Sequence, residues 1–212
     1  CAVLWGARAA GNAVLSEIAD RTWEFQRLSA LTPWAMTWGK LFGAASLAWI
    51  CGLVGLAVGV LAAFASGFGD KVWTLAFLLA LAVLVQALSM AAALIGVRKA
   101  RAEGRAARAG GVTGGMIFGF FLLSAIASSR SFGGGIGTRG LGQMFSANGF
   151  VDWWSLHTSA AIFRVVAVAA FAAWALAGAW RLMRLELQMQ NTPLVWPSFL
   201  IFLALFAGGF LF

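Results

Sequence analysis

The charged residues of this chain whose spacing could do chemistry gather between Glu17 and Lys40, in the stretch EIADRTWEFQRLSALTPWAMTWGK. Glu17 and Arg21 stand four apart and Glu24 and Arg27 three apart, spacings at which opposite charges meet on one helix face and support it. Trp23, Phe25, Leu28 and Leu31 give that helix apolar contacts at a membrane surface. Thr32 precedes Pro33, and the residue before a proline is driven out of helical conformation, while proline itself suits the first turn of a new helix. Thr32 is therefore expected to cap a second helix running through Trp34, Met36 and Trp38. Lys40 is expected at the membrane boundary, its stem along apolar surface and its ammonium in water. A charged helix, a turn and a cation set against hydrophobic sequence offer the chemistry of recognition. Two readings stay open on these residues alone: a docking surface for a partner, or an amphipathic helix that anchors the chain in the interface.

The remaining polar candidates are isolated. His157 is the single histidine. It could pair with Ser155 or bind a metal, but no cluster accompanies it, and a serine–histidine pair embedded in facing helices is not in view. The glycine-rich GGGIGTRG at 133–140 lacks the Gly-Lys-Ser/Thr ending of a phosphate-binding loop, so no ATP hydrolysis by this chain alone is expected. Arg164 lies inside a hydrophobic run, where a charge is costly and marks a functional hypothesis. It stands only about two turns in from Ser159, so snorkelling to the surface is the equal alternative. Gln86 and Ser89 could line a pathway or hydrogen-bond a neighbouring helix, and the second reading is preferred. Gly55 and Gly59, and Gly111, Gly115 and Gly119, recur at intervals of four and make small faces where helices can approach closely.

The elements that must position these residues are hydrophobic helices. Apolar residues make up 62% of the chain and charged residues 10%, against about a quarter charged in soluble domains. So little charge cannot cover so much apolar surface in water, and an integral membrane protein is the direct reading. A hydrocarbon core about 30 Å thick needs roughly 20 apolar helical residues. Runs at 41–64, 72–97, 112–129 and 158–180 meet or approach that length, and 197–212 starts a further one. Residues 1–16 read as the end of a preceding span, although Arg8 weakens that assignment. The runs are continuous rather than alternating, and backbone groups in lipid must bond internally, so helices rather than a barrel are expected. Cys1 and Cys51 are too few for a disulfide framework.

Charge orients the spans. With 17–40, 98–111 and 181–196 on one side, that side holds Arg21, Arg27, Lys40, Arg98, Lys99, Arg101, Arg105, Arg108, Arg181 and Arg184, ten in all. The other side, 65–71 and 130–157, holds Lys71, Arg130 and Arg139. Ten against three makes the first side cytoplasmic by the positive-inside rule. The same placement, between hydrophobic runs, argues that the excess of 15 Lys+Arg over 7 Asp+Glu is not a nucleic-acid footprint. The basic loop at 99–111 fits contact with anionic lipid headgroups. The external segment 130–157 has room for a short re-entrant or surface-lying helix, and Trp153-Trp154 fit an interfacial aromatic belt. Residues 181–196 read as an amphipathic cytoplasmic connector.

In residue type and spacing, Glu17, Arg21, Thr22, Glu24, Leu28, Ala30, Thr32, Pro33, Gly39 and Lys40 resemble the cytoplasmic segment of ABC-2 type permeases. The resemblance covers about two dozen residues, and the order of helices around them fits it. It implies an all-α, polytopic transmembrane helix bundle in the bacterial inner membrane, multi-pass, working as the permease subunit of an ABC transporter. The segment at 17–40 would then contact a separate ABC ATPase subunit, with ATP reaching the system only through that partner and no cofactor bound directly. It also implies a dimer, or a pseudo-dimer of permease halves. A non-transport membrane scaffold with 17–40 as a docking helix is the alternative function, and an intramembrane enzyme is argued against by the scarcity of nucleophile–base pairs. A permease of this kind with six spans ends in the cytoplasm, whereas here a further span follows 181–196. The sequence thus reads as a piece of a double-length permease or of one with an atypical span number, and its start at Cys1 and end at Phe212, inside an apolar run, read the same way.

Overall fold

A computed structural model describes residues 3–20, 32–66, 69–104 and 149–210. The expected span at 112–129, the loop at 105–111, most of the external segment and residues 21–31 lie outside the described residues. Within them the chain is mostly helical: α1 (Leu4–Ala19), α2 (Pro33–Trp38), a π-helical turn (Gly39–Gly43), α3 (Ser46–Ser66), α4 (Gly69–Ala102), α5 (Ala160–Glu186) and α6 (Val195–Gly208). Two short strands, β1 (Phe150–Trp153) and β2 (Leu156–Ser159), form an antiparallel hairpin before α5. Three helical stretches are long and apolar enough to cross a membrane: Ser46–Ala65, Lys71–Ala102 and Ala160–Glu186. Helix α6, with 14 residues, is about 21 Å long at 1.5 Å per residue and falls short of a full crossing.

Packing sorts the helices by direction. Val14 on α1, Met90 and Leu94 on α4, and Ala179 and Met183 on α5 share one buried cluster with Met36 and Leu41. Further back along the same three helices, Ala7, Leu81 and Ala172 share another. Helices α1, α4 and α5 therefore run in the same direction, and their C-terminal ends meet at one end of the bundle. Helix α6 runs back along α5, with Phe199 against Trp174, Phe202 and Phe206 against Phe171, and Phe206 and Phe210 against Phe163. Lipid is as apolar as these side chains, so helix association here rests on close packing and interhelical hydrogen bonds rather than on escape from water. Helix α4 is the most enclosed of the three spans and α3 the least, with Leu47, Ile50, Val54, Val58 and Leu61 exposed along it. Helices α3 and α4 come close where a Cβ on Gly59 would lie 2.9 Å from Leu75 Cδ2.

Three observed features differ from the boundaries read in the sequence. The fold is not purely helical, because a hairpin occupies 150–159, at the end of the external segment and the start of the run expected from residue 158; the rest of that segment, where a surface helix was expected, lies outside the described residues. Its connection is Trp154-Ser155, both at positive φ (47° and 62°), which closes the two-residue turn whose twist matches paired strands. The span expected from Leu41 starts at Ser46, because the π-turn and a further turn at Ala44-Ala45 intervene. The connector expected from Arg181 starts six residues later. Helix α5 continues to Glu186 and stops where Gln188 takes φ 60°, with the Gln188 N–H on the Leu185 carbonyl and the Met189 N–H on the Arg184 carbonyl. That pairing is a Schellman C-cap, formed here with glutamine in place of the usual glycine.

Candidate functional site

The residues at the two borders of the polar segment come together. Thr32 is extended (φ −71°, ψ 147°) and its Oγ1 accepts the Ala35 N–H at 3.2 Å, with Pro33 in the first helical position. The Thr32-Pro33 junction thus starts α2 as expected. Downstream, Gly39–Gly43 adopts a π-turn that buries both Lys40 and Leu41. Leu41 enters the shared core, and Lys40 Nζ donates to Glu17 Oε2 near the C-terminal end of α1. Here the structure departs from the sequence reading: the Lys40 side chain is 7% exposed and ion-paired, not snorkelling into water. The reason is tertiary. Helix α1 holds a carboxylate where the lysine would otherwise need water, and a paired buried ammonium no longer has to leave the bundle. Arg21, Thr22, Glu24 and Arg27 lie outside the described residues.

A run of rings accompanies this junction. Trp34 meets Trp38 and Trp180 edge-on, Trp38 stacks on Phe42, and Phe42 lies against Trp49. The Trp49 indole N–H then donates to Gln86 Oε1 at 3.1 Å. Gln86 is fully buried and presses against α1, where a Cβ on Gly6 would come within 2.3 Å of its Nε2. One turn along, Ser89 Oγ donates to the Ala7 carbonyl at 2.7 Å. Gln86 and Ser89 therefore join α4 to α3 and α1 by interhelical hydrogen bonds.

At the same end of the bundle stands a cluster absent from the sequence reading. Glu186, in the last turn of α5, has a side chain only 2% exposed, and its two oxygens accept from Arg98 Nε at 2.8 Å and Arg101 Nη1 at 2.7 Å. Both arginines belong to the end of α4, which closes at Gly104 with φ 64°, a backbone geometry that suits glycine. Beyond α5 the chain is tied back by Arg181 Nη2 to the Thr192 carbonyl at 2.7 Å, by Asn191 Nδ2 to the Arg181 carbonyl at 3.0 Å, and by Arg184 to the Gln190 carbonyl. The Arg184 guanidinium also lies 5.1 Å from the centre of the Trp180 ring. A cue for Glu186 was present: it is the single acid after Asp152, and Arg98 and Arg101 are three apart on one helix face. Nothing in the sequence said that α4 and α5 would end side by side.

The opposite end carries the hairpin. Trp153 Nε1 donates to the Phe206 carbonyl at 3.0 Å and Trp154 Nε1 to the Leu205 carbonyl at 2.9 Å, while the Trp154 N–H reaches the Gly209 carbonyl at 3.0 Å. These bonds serve carbonyls in the last turn of α6, where internal donors run short, although the Leu205 carbonyl also accepts the Gly209 N–H. The two tryptophans thus cap a helix as well as sitting at an edge of the bundle. His157 faces Asp152 across the hairpin, with its Nδ1 bonded to Asp152 Oδ1 and its ring stacked on Phe150, and both partners are exposed. Ser155 turns instead to the Trp154 carbonyl. Arg164 Nε donates back to the Ala160 carbonyl at 3.2 Å, which directs its side chain toward the hairpin end of α5. Among the described residues, no three or more His, Cys, Asp or Glu side chains are grouped to hold a metal ion.

Comparison with protein-family models, with characterised proteins and with solved structures found no match to this chain.

Proposed function

We propose that the protein is the membrane-spanning permease subunit of an ATP-binding cassette transporter, with residues 17–40 as its contact for a separate ATPase. In this reading the helix bundle forms the substrate pathway, the basic end faces the cytoplasm of a bacterium, and two permease halves pair in the inner membrane. One observation carries it beyond the sequence resemblance. The Lys40–Glu17 ion pair closes the polar segment at its base, tying the end of α1 to the π-turn that leads into α3. A push on the segment by a nucleotide-driven partner would be delivered to both helices at once. π-turns of this kind recur at functional positions in helices, and one placed between the contact segment and a span is suited to re-aim that span.

A non-transport scaffold remains the competing function, and a specific observation favours it. Gln86 and Ser89, two buried polar groups inside a described span, are engaged in joining helices rather than facing an open pathway. Affinity co-purification separates the two. Glu24→Arg and Arg27→Glu leave the Glu17–Lys40 pair intact, so the bundle should still form in both. The transporter reading expects a P-loop ATPase to co-purify with the unaltered chain and to be lost from both variants. If no ATPase is recovered with any of the three, the scaffold reading replaces it.

A further inference from the structure

The ends of α4 and α5 border a shallow, largely open depression of about 350 Å³ lined by Arg98, Arg101, Leu185, Glu186 and Gln188. We propose that this depression binds a phosphate group, with Arg98 and Arg101 as its ligands and Glu186 as the residue that positions them. The inference needs only a bundle embedded in a membrane and does not rest on the transporter reading.

A guanidinium carries five N–H donors, and Glu186 takes one from each arginine. The arginine side chains remain 39% and 52% exposed while the carboxylate between them is 2% exposed. The acid is therefore sunk behind the two part-exposed guanidinium groups, and the depression they line is open to the outside. Two cations against one anion leave the depression with net positive charge. Glu103, on the turn that closes α4, does not line the depression, and Lys99, Arg181 and Arg184 add positive charge in the last turns of α4 and α5. A planar guanidinium recognises a phosphate through paired, charge-assisted hydrogen bonds, and a rotamer locked by a buried carboxylate loses less freedom on forming them.

The converging helix ends do not oppose an anion as strongly as two bare C-termini would. The carbonyls of Lys99, Arg101, Met183, Arg184 and Leu185 already accept backbone N–H groups from the turns that follow. Position supplies the second half of the argument. Arg98 follows directly on the buried Val97 that ends the apolar part of α4, so the depression lies where hydrocarbon gives way to headgroups. Leu185, Met189, Leu194 and Trp196 are exposed near it, as suits residues that border acyl chains. A depression of this size accommodates a headgroup as well as an inorganic phosphate.

The test uses the full chain purified in mild detergent. Native mass spectrometry after equilibration with mixed phosphatidylcholine and phosphatidylglycerol vesicles reads retained lipid, and titration with inorganic phosphate alone reads the soluble source. The variant Arg98→Lys with Arg101→Lys keeps two counter-charges for Glu186 but removes the paired donors, so folding is protected. Lys99→Gln removes an exposed charge from the same turn without touching the depression. The unaltered chain and Lys99→Gln should retain phosphatidylglycerol over phosphatidylcholine, and the double lysine variant should lose that preference by roughly tenfold or more. Saturable phosphate binding lost in the same variant, without lipid preference, would support the site and assign it to a soluble phosphate. The proposal fails if the double lysine variant retains anionic lipid and phosphate as the unaltered chain does. It fails equally if Lys99→Gln weakens retention as much, because the attraction is then diffuse charge and not a site.

Discussion

At the basic end of the bundle Glu17 meets Lys40 and Glu186 meets Arg98 and Arg101, whereas at the hairpin end two indole N–H groups meet the carbonyls that finish α6. Both ends solve the same problem, which is to join elements distant in sequence where apolar packing alone is a weak specifier. The basic end uses full charges, so each partner becomes a liability if the other is removed. The hairpin end uses neutral donors surrounded by Phe163, Phe206 and Phe210, so a lost bond strands a dipole rather than a charge. The difference teaches that one end is joined through charge, while the other holds its shape by ring packing and neutral hydrogen bonds.

The largest expected effect tests that contrast directly. Replacing Arg98 and Arg101 together by Ala leaves the buried Glu186 carboxylate without its partners. A broken buried pair costs several kcal/mol, reduced here because both arginines are part-exposed, so a loss of about 2–3 kcal/mol is expected in thermal unfolding in detergent. Adding Glu186→Gln to the same background should recover most of it, since a neutral amide is cheaper to leave buried. Absence of recovery would mean that packing, not charge, dominates at this end.

The intermediate effect belongs to the hairpin end. A Cβ on Gly209 would lie 2.1 Å from Trp153 Nε1 and 2.4 Å from Trp154 Cδ1, and neither ring can fold aside as a flexible chain would. Gly209→Ala is expected to cost about 1–3 kcal/mol and to shift tryptophan fluorescence as the rings leave the end of α6. If stability and emission are both unchanged, the hairpin does not close that helix in solution.

The smallest effects form a matched pair. Thr32→Ala removes the cap of α2 at the basic end, and Trp153→Phe removes one indole bond at the other. Each is expected to cost about 1 kcal/mol in the same unfolding measurement. Similar values would show that the two ends differ through charge and not through general rigidity. A much larger loss for Trp153→Phe would show instead that the aromatic cluster depends on that one bond.

Much of the fold was legible because membrane spans announce themselves. Length and unbroken apolarity located three helices long and apolar enough to cross a membrane, with ends displaced by up to about six residues, and the Thr32-Pro33 pair announced the start of α2 through backbone sterics that need no tertiary context. The hairpin was not legible, since Trp154-Ser155 is not a turn signal by residue type. Its positive φ values are held by the hydrogen bonds and ring contacts that dock Trp153 and Trp154 on α6. The end of α5 was also misplaced, because Gln188 stands where a glycine would have announced the stop.

The sequence by itself determined that this chain is built of long apolar helices with clusters of positive charge between its hydrophobic runs, because hydrophobic length and charge placement are properties of local composition. Only the tertiary structure decided which charges meet. Lys40 finds Glu17 across 23 residues and Glu186 finds Arg98 across 88, separations over which no local spacing rule applies. What brings them together is the common direction of α1, α4 and α5, and that direction follows from how the helices pack.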